Sequence, residues 1–478
     1  MKLISFCYIV SLASSLSGAC LLPEEREGLQ RLVSRQSSGN GIPIGTGDRY
    51  SSGTIAPRGL GTQTTTLTTL LNVNEIASGL KGLASVYGIS TFTTPYTTYN
   101  GASISGGKVG GNGTCDAAYR IYLNAAIHAR ERGASDGLLY FIGDLLYANA
   151  KNVGLTYGSK TYTNAQVKTA LSTGIVFIPL SNPDGVAYDQ SSNSCWRKNR
   201  NPKSSTGTAA SVGVDLNRNF DFLWDFTTKF AASVRSSVAS TSPSAETYHG
   251  TSAFSEPETK SMKWVLDTFS KVRWFIDLHS YTGDVLYSVS IISSLILQLP
   301  KSSTSSLFPK QSKLLTFHWN PLQKWGSDEN QSRYPTMNFL NSTYNGVRGI
   351  LTDTPGSGTG YGEYAPTQEN SDNIAAATRI GAAMSTAAGR SYSVIPSAEL
   401  YPTSGASDDY SYSRHFANTA LNLVHGYTIE FGFGNTAASC PFYPTQDQHN
   451  KNIKEIGAGF MEALLAAQEI GLGNGEAC

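Results

Sequence analysis

An α/β fold, with a sheet covered by helices on both faces, is predicted by three observations. Short runs that are apolar at nearly every position recur along the chain: GIVFIPL (174–180), VRWFIDLHS (272–280) and YTIEFGF (427–433). Such runs suit central strands buried on both sides. They alternate with longer stretches of helical period, the pattern of a sheet between two helical layers. Finally, 478 residues can bury one large core or two ordinary ones. The formal net charge is +1 and only 15% of residues are charged. That balance excludes a basic stripe for nucleic acid and an acidic tail.

The elements follow in order. Lys2 precedes an apolar stretch, Leu3 to Leu16, and then Ser17-Gly18-Ala19. A charged start, a short apolar run and small residues at the end read as a secretory signal over 1–19. The run is too short to span a bilayer comfortably. Residues 20–66 read as a short pro-segment or linker, because 36–66 are rich in Ser, Gly and Thr. They are too few for a folded propeptide. The folded domain is expected over 67–473. Within it NEIASGLKGLASVYG (74–88) predicts a helix, AAYRIYLNAAI (117–127) a buried strand and GLLYFIGDLLYAN (137–149) the helix after it. NKNIKEIGAGFMEALLAAQEIGL (450–472) predicts the last helix.

Residues 289–324 break the pattern. They contain no Asp, Glu or Gly, in a chain with 47 Gly and 35 acidic residues. The segment opens on Val, whose codons begin GT, and closes on Lys, which AAG encodes. It reads either as translated intron sequence or as a surface loop.

Of six cysteines, Cys7 would leave with the signal. Cys115, Cys195, Cys440 and Cys478 remain, with Cys20 if cleavage follows Ala19. No CxxC pair is present, which argues against a zinc–thiolate site. One or two disulfides are expected, with the pairing open. Asn112, Asn330 and Asn341 head glycosylation triplets.

The chemistry gathers at strand ends, where open α/β sheets place their sites. His128 and Glu131 follow one strand, His279 closes another in FIDLHSY, and Glu430 lies within a third. Two histidines and a carboxylate with an open fourth position are a catalytic zinc ligand set, and a further carboxylate can act as base. Each has a plainer reading alone. His128 and Glu131 could open a helix, with Glu131 at its positive end.

The wider motif set is more specific. HARE (128–131) is followed by NPDGVAY (182–188), CWRKNR (195–200), VGVDLNRNF (212–220), ETYHG (246–250) and DLHSY (277–281), with a late strand glutamate. In this order they resemble the zinc metallocarboxypeptidases of the carboxypeptidase A and B type, over about residues 70–470. The resemblance implies one domain with a mixed eight-stranded sheet between helices. It implies one Zn²⁺ held by His128, Glu131 and His279, with Asp215 orienting His128 from behind. It makes Glu430 the general base and Arg197 the group that polarises the scissile carbonyl. Asn217 and Arg218 match the pair that binds the substrate's terminal carboxylate. Arg130 matches an arginine lining its path, and Tyr401 a mobile tyrosine that closes over the terminal residue. Arginine suits carboxylates because its fork binds them through two hydrogen bonds. Asp408, next to Asp409, matches the acid at the base of a pocket for terminal Lys or Arg.

The expectation is therefore a secreted monomer that takes peptide and protein C-termini as substrate, without nucleic acid or membrane partners. Two alternatives stand beside it: a zinc hydrolase of cell-wall peptides, and a carboxylate-binding relative that no longer turns over.

Overall fold

The computed structural model describes residues 39–111, 115–288, 340, 342–346, 348–349 and 367–473. The expected signal, the 289–324 segment and the three glycosylation asparagines lie outside them.

Ten strands are described: β1 (Ser90–Thr97), β2 (Ser103–Val109), β3 (Ile121–Ala125), β4 (Leu155–Tyr157), β5 (Lys160–Tyr162), β6 (Ile175–Ile178), β7 (Trp274–His279), β8 (Asp284–Tyr287), β9 (Ser393–Pro396) and β10 (His425–Glu430). The longer helices are α1 (Val73–Tyr87), α2 (Ala134–Lys151), α3 (Asn164–Ser172), α4 (Pro183–Ser192), α5 (Pro257–Thr268), α6 (Thr367–Ala388), α7 (Ser407–Ala417) and α8 (Gln446–Ile470). Eight strands form one mixed sheet in the order β1-β2-β6-β3-β7-β10-β8-β9, and β4-β5 is a separate hairpin. Strands β6, β3, β7 and β10 run parallel at the centre, while antiparallel pairs occur toward both edges.

Each central strand serves two cores. Ile121, Leu123, Ile276, Leu278, Tyr427 and Ile429 face the helical layer that includes α2, α6 and α8. Tyr122, Val176, Ile178 and Phe275 face the opposite layer, built from α5 and the irregular stretch around Phe220–Phe230. Because side chains alternate along a strand, Asn124, Asp277, His279, Thr428 and Glu430 project with that second set. The polar residues therefore collect at the carboxyl ends of the central strands, on one face.

Local signals set the helix boundaries. Asn72 with Glu75, Thr163 with Gln166 and Thr445 with Gln448 form reciprocal capping boxes that open α1, α3 and α8.

The reading of residues 20–66 as linker does not hold over its described part. Tyr50 and Leu60 are core residues, the Ile42 N–H donates to the Pro444 carbonyl, and the Leu70 N–H donates to the Pro43 carbonyl. Asp144 accepts from the backbone of Gly59 and Gly61 and from the Thr62 hydroxyl. A Cβ on Gly61 would sit 2.5 Å from the Tyr157 ring. Glycine is there for close approach rather than for slack.

Behind the second layer lies a buried acid pair. Asn199 Nδ2 donates to Glu256 Oε2 at 2.8 Å and to Glu258 Oε2 at 3.0 Å. Burial pushes the Glu258 carboxyl up to about 8, with the Asn199 bond offsetting only part. The folded chain then holds a proton that the unfolded chain releases between about pH 4.5 and 8. Stability from this site is complete below that window and is lost as pH rises through it. Glu258→Gln is expected to leave urea stability unchanged near pH 4. It should raise stability at pH 8.5, at roughly 1.4 kcal/mol per pH unit of the window. Wild-type and variant stabilities that stay parallel across that range would sink the assignment.

Candidate active site

After β3 the backbone turns at Ala126, with φ of 60°. His128 and Glu131 lie in the loop that follows, and α2 begins only at Ala134 behind Gly133, whose φ of 99° suits glycine. The helix-start reading of this stretch is thereby excluded. His279 arrives from the end of β7. His128, Glu131 and His279 each offer a ligand atom within 4.8 Å of the others. Closer still, His128 Nδ1 lies 2.7 Å from Glu131 Oε1, and His279 Nδ1 lies 3.1 Å from Glu131 Oε2 and 3.2 Å from His128 Nδ1.

Three features test whether a zinc ion fits. Two Zn–N bonds of 2.0–2.1 Å at the tetrahedral angle put their nitrogens about 3.3 Å apart, and the two Nδ1 atoms meet that spacing. Both histidines turn Nδ1 to the centre and back Nε2 onto a carboxylate: His128 onto Asp215 Oδ1 at 3.1 Å, His279 onto Asp277 Oδ2 at 3.4 Å. That is the arrangement which fixes a ligating tautomer. Lastly, the cluster is acidic: Glu131, Asp215 and Asp277 are all buried, and Arg197 is paired with Asp215. Glu131 Oε2 is buried and faces His279 Nδ1 at 3.1 Å.

The electrostatics agree. Burial alone would raise the Glu131 carboxyl, but His128 and His279 hold it well below the usual range. Burial would likewise raise Asp215, yet Arg197 and His128 hold it far down. His279 is pushed well up by Glu131 and Asp277 against the effect of burial. Asp215 is the hub: Oδ1 meets His128 while Oδ2 accepts from Arg197 Nε at 3.0 Å and Nη2 at 2.9 Å. One carboxylate thus aligns a ligand and an arginine. It also accepts from the backbone N–H of Asn217 at 3.1 Å, opening the turn that carries Asn217 and Arg218.

Arg218 is buried; it donates to the carbonyls of Val238 and Asn217 and, at 3.4 Å, to the Tyr401 hydroxyl. Asn217 Oδ1 accepts from Ser407 N at 2.8 Å, which leaves its amide N–H₂ as a donor. Arg130 donates to Glu246 at 2.8 Å and to the Cys195 carbonyl, and stacks on Phe442 at 4.5 Å. Glu430 is in register with His279 across the parallel β7–β10 pairing, so both leave the same face of the sheet. Asp408 is buried in the first turn of α7 and accepts from Ser397 Oγ at 2.8 Å. Asp409 beside it is pushed well up, first by burial and then by the Asp408 charge.

Several contributors were not singled out from sequence. Asp277 backs His279, and is itself held by Asn124 Nδ2 at 2.8 Å and Ser407 Oγ at 2.6 Å. The available signal was a charged residue two positions before a strand-end histidine, hence on the same face. Glu246 and Phe442 flank Arg130; Glu246 opens the ETYHG motif without a role having been read for it, and Phe442 had no local signal. The open cysteine pairing resolves as Cys195–Cys440, and Cys115 is also disulfide-bonded. Glu369, Asp372 and His425 form another close group. There Arg273, 3.3 Å from Glu369, already supplies positive charge.

A mixed α/β sheet with a buried His-Glu-His cluster at its central strand ends defines an α/β protein with a candidate metal centre. Residues 80–458 match the family model described as zinc carboxypeptidase, and the chain belongs to that family. It is 36% identical to carboxypeptidase A2 of Rattus norvegicus over 168 residues, 35% of this chain and 34% of that protein. It is 32% identical to zinc carboxypeptidase A 1 of Drosophila melanogaster over 212 residues, 44% and 43% of the two. The matches thus span well under half the length of these relatives. The fold is shared with thrombin activatable fibrinolysis inhibitor, at TM-score 0.54 and 18% identity over 92% of this chain and 80% of that one. It is also shared with carboxypeptidase A from Helicoverpa armigera, at TM-score 0.53 and 18% identity over 84% and 74%. No described helix is long and apolar enough to cross a membrane.

Proposed function

We propose that the protein is a secreted zinc carboxypeptidase that hydrolyses the last peptide bond of peptides and proteins. The observation that carries this reading is the Asp215 bridge, which joins a proposed zinc ligand to an arginine at the same cleft. Secretion is supported by the N-terminal apolar run and by disulfide bonding, which persists in oxidising compartments.

The residues divide the work. Zinc held by His128, Glu131 and His279 would supply Lewis acidity and lower the pKa of a bound water to roughly 7. Glu430 takes the proton of the attacking water and delivers it to the leaving amine. Arg197 has Nε and Nη2 engaged by Asp215, so Nη1 is the donor assigned to the oxyanion. Asn217 Nδ2 and Arg218 bind the free carboxylate, with Tyr401 closing over it. Arg130, its charge balanced by Glu246, lines the approach.

Asp408 sets the terminal preference. Asp408, buried in the first turn of α7, is the acid assigned to a terminal Lys or Arg side chain.

The test follows peptides by mass, differing only in a C-terminal Lys or Phe. Loss of single residues from the C-terminus is expected. The Lys peptide should be trimmed about tenfold faster or more, as one charge-assisted bond allows. Internal cuts alone would sink the exopeptidase reading. Faster trimming of the Phe peptide would sink only the role of Asp408.

A further inference from the structure

The chain bends sharply just before Arg197. Cys195 has φ of 59°, a left-handed conformation that residues with a side chain seldom adopt. Such a turn persists only where its surroundings over-determine it. Here three ties do so. Cys195 is disulfide-bonded to Cys440. Its N–H donates to the Tyr443 hydroxyl at 2.8 Å, and its carbonyl accepts from Arg130 Nη1 at 3.3 Å.

Two of the ties come from one loop, the stretch after β10 that follows Glu430. That loop is rigid in its own right. Ala438, Cys440, Phe442 and Tyr443 form a small buried cluster apart from the two main cores, with Cys195 and Tyr281 packed on it. The Tyr443 hydroxyl donates to Asp189 Oδ1 at 2.6 Å, and the same oxygen accepts from Trp196 N at 2.8 Å. The Arg132 guanidinium lies 3.4 Å from the centre of the Tyr443 ring and is paired with Asp189. On its other side Arg197 is fixed by Asp215, and its carbonyl accepts from Ala129 N at 3.1 Å.

We propose that Cys195 and Cys440 are positioning residues: their cross-link holds the strained turn that aims Arg197 into the cleft, and registers it against the strand that carries Glu430. The proposal rests on the reading of Arg197 as the oxyanion donor. It separates the cross-link's purpose from general stability, because its effect on turnover must pass through Arg197.

The experiment compares four proteins: wild type, Cys195→Ser/Cys440→Ser, Arg197→Ala, and the triple variant. All are assayed on one peptide well below the melting midpoint of the least stable. Removing the cross-link is expected to lower kcat about 10–100-fold, the cost of a misplaced group, with KM nearly constant. In the Arg197→Ala background that cost should vanish. An equal loss in both backgrounds, or none in wild type, overturns the proposal while leaving Arg197's role intact. Full kcat in Arg197→Ala overturns that role and the proposal with it.

Two further variants guard against a protein that fails to fold. Tyr443→Phe keeps the disulfide but removes one tie, and should lose kcat several-fold, again only when Arg197 is present. In Cys195→Gly/Cys440→Ser, glycine adopts the left-handed turn without strain, so part of kcat should return relative to the serine pair. Identical kcat for the glycine and serine pairs, or an undiminished kcat in Tyr443→Phe, counts against the proposal.

Discussion

Replacing Glu430 by glutamine is expected to lower kcat about 10²–10⁴-fold, the usual worth of a placed general base. The substitution keeps the size of the side chain and its capacity to accept a hydrogen bond, but removes its basicity. KM should therefore move little, because ground-state contacts survive. Zinc content should also be unchanged, since the three proposed ligands are other residues. The argument is positional. Glu430 ends a strand whose other residues are buried, and it stands in register with His279. Its carboxylate thus projects from the same sheet face as the proposed metal centre. A charged group at the end of an apolar strand is costly unless it has work to do. Single-turnover measurements with fixed zinc would decide the matter. A loss of less than about fivefold in kcat would return the search for a base to the other acids of the cleft.

How much was legible beforehand depends on whether the signal was local. The central strands and their helices could be read because burial on both faces leaves apolar runs such as Ile175–Ile178 and Trp274–His279. The edges could not. β1 and β2 read STFTTPYT and SISGGKV, half-exposed and rich in Thr and Gly. Their pairing comes from neighbours rather than from apolar period. β8 and β9 have only four residues each, too few for a period to declare itself. Residues 39–66 misled because composition cannot tell a glycine that loosens a linker from one that lets a tyrosine ring approach.

The site divides in the same way. His128, Glu131, His279, Asp215 and Arg197 stood in recognisable motifs, and the fold brings them together. Asp277 was hidden because its meaning is tertiary. Only the β3–β7 pairing puts Asn124 beside it, and only α7 brings Ser407. The cysteine pairing was similarly silent, since Cys195 and Cys440 are 245 residues apart.

Stripping the metal is expected to abolish trimming and to loosen the fold, and the second effect makes the experiment informative beyond activity. Glu131, Asp215 and Asp277 are buried close to His279, whose imidazole Glu131 and Asp277 push well up against the effect of burial. A zinc ion held by the proposed ligands would add positive charge to this acidic cluster. A ligand bound only by the folded state stabilises it by about 2.7 kcal/mol at a hundred times its dissociation constant. For a domain of this size that is a rise of several degrees in the melting midpoint. Phenanthroline should therefore lower both turnover and Tm, and added Zn²⁺ should restore both. Mg²⁺ should restore neither, because it prefers an all-oxygen octahedral shell to two imidazoles. In His279→Gln the midpoint should no longer respond to chelator or zinc at all. Trimming that continues at full rate in protein shown by elemental analysis to be free of zinc would remove the metal from the mechanism. A zinc-dependent midpoint in His279→Gln would move the ion elsewhere in the fold. The two readouts thus separate what the metal does in the reaction from where it is held.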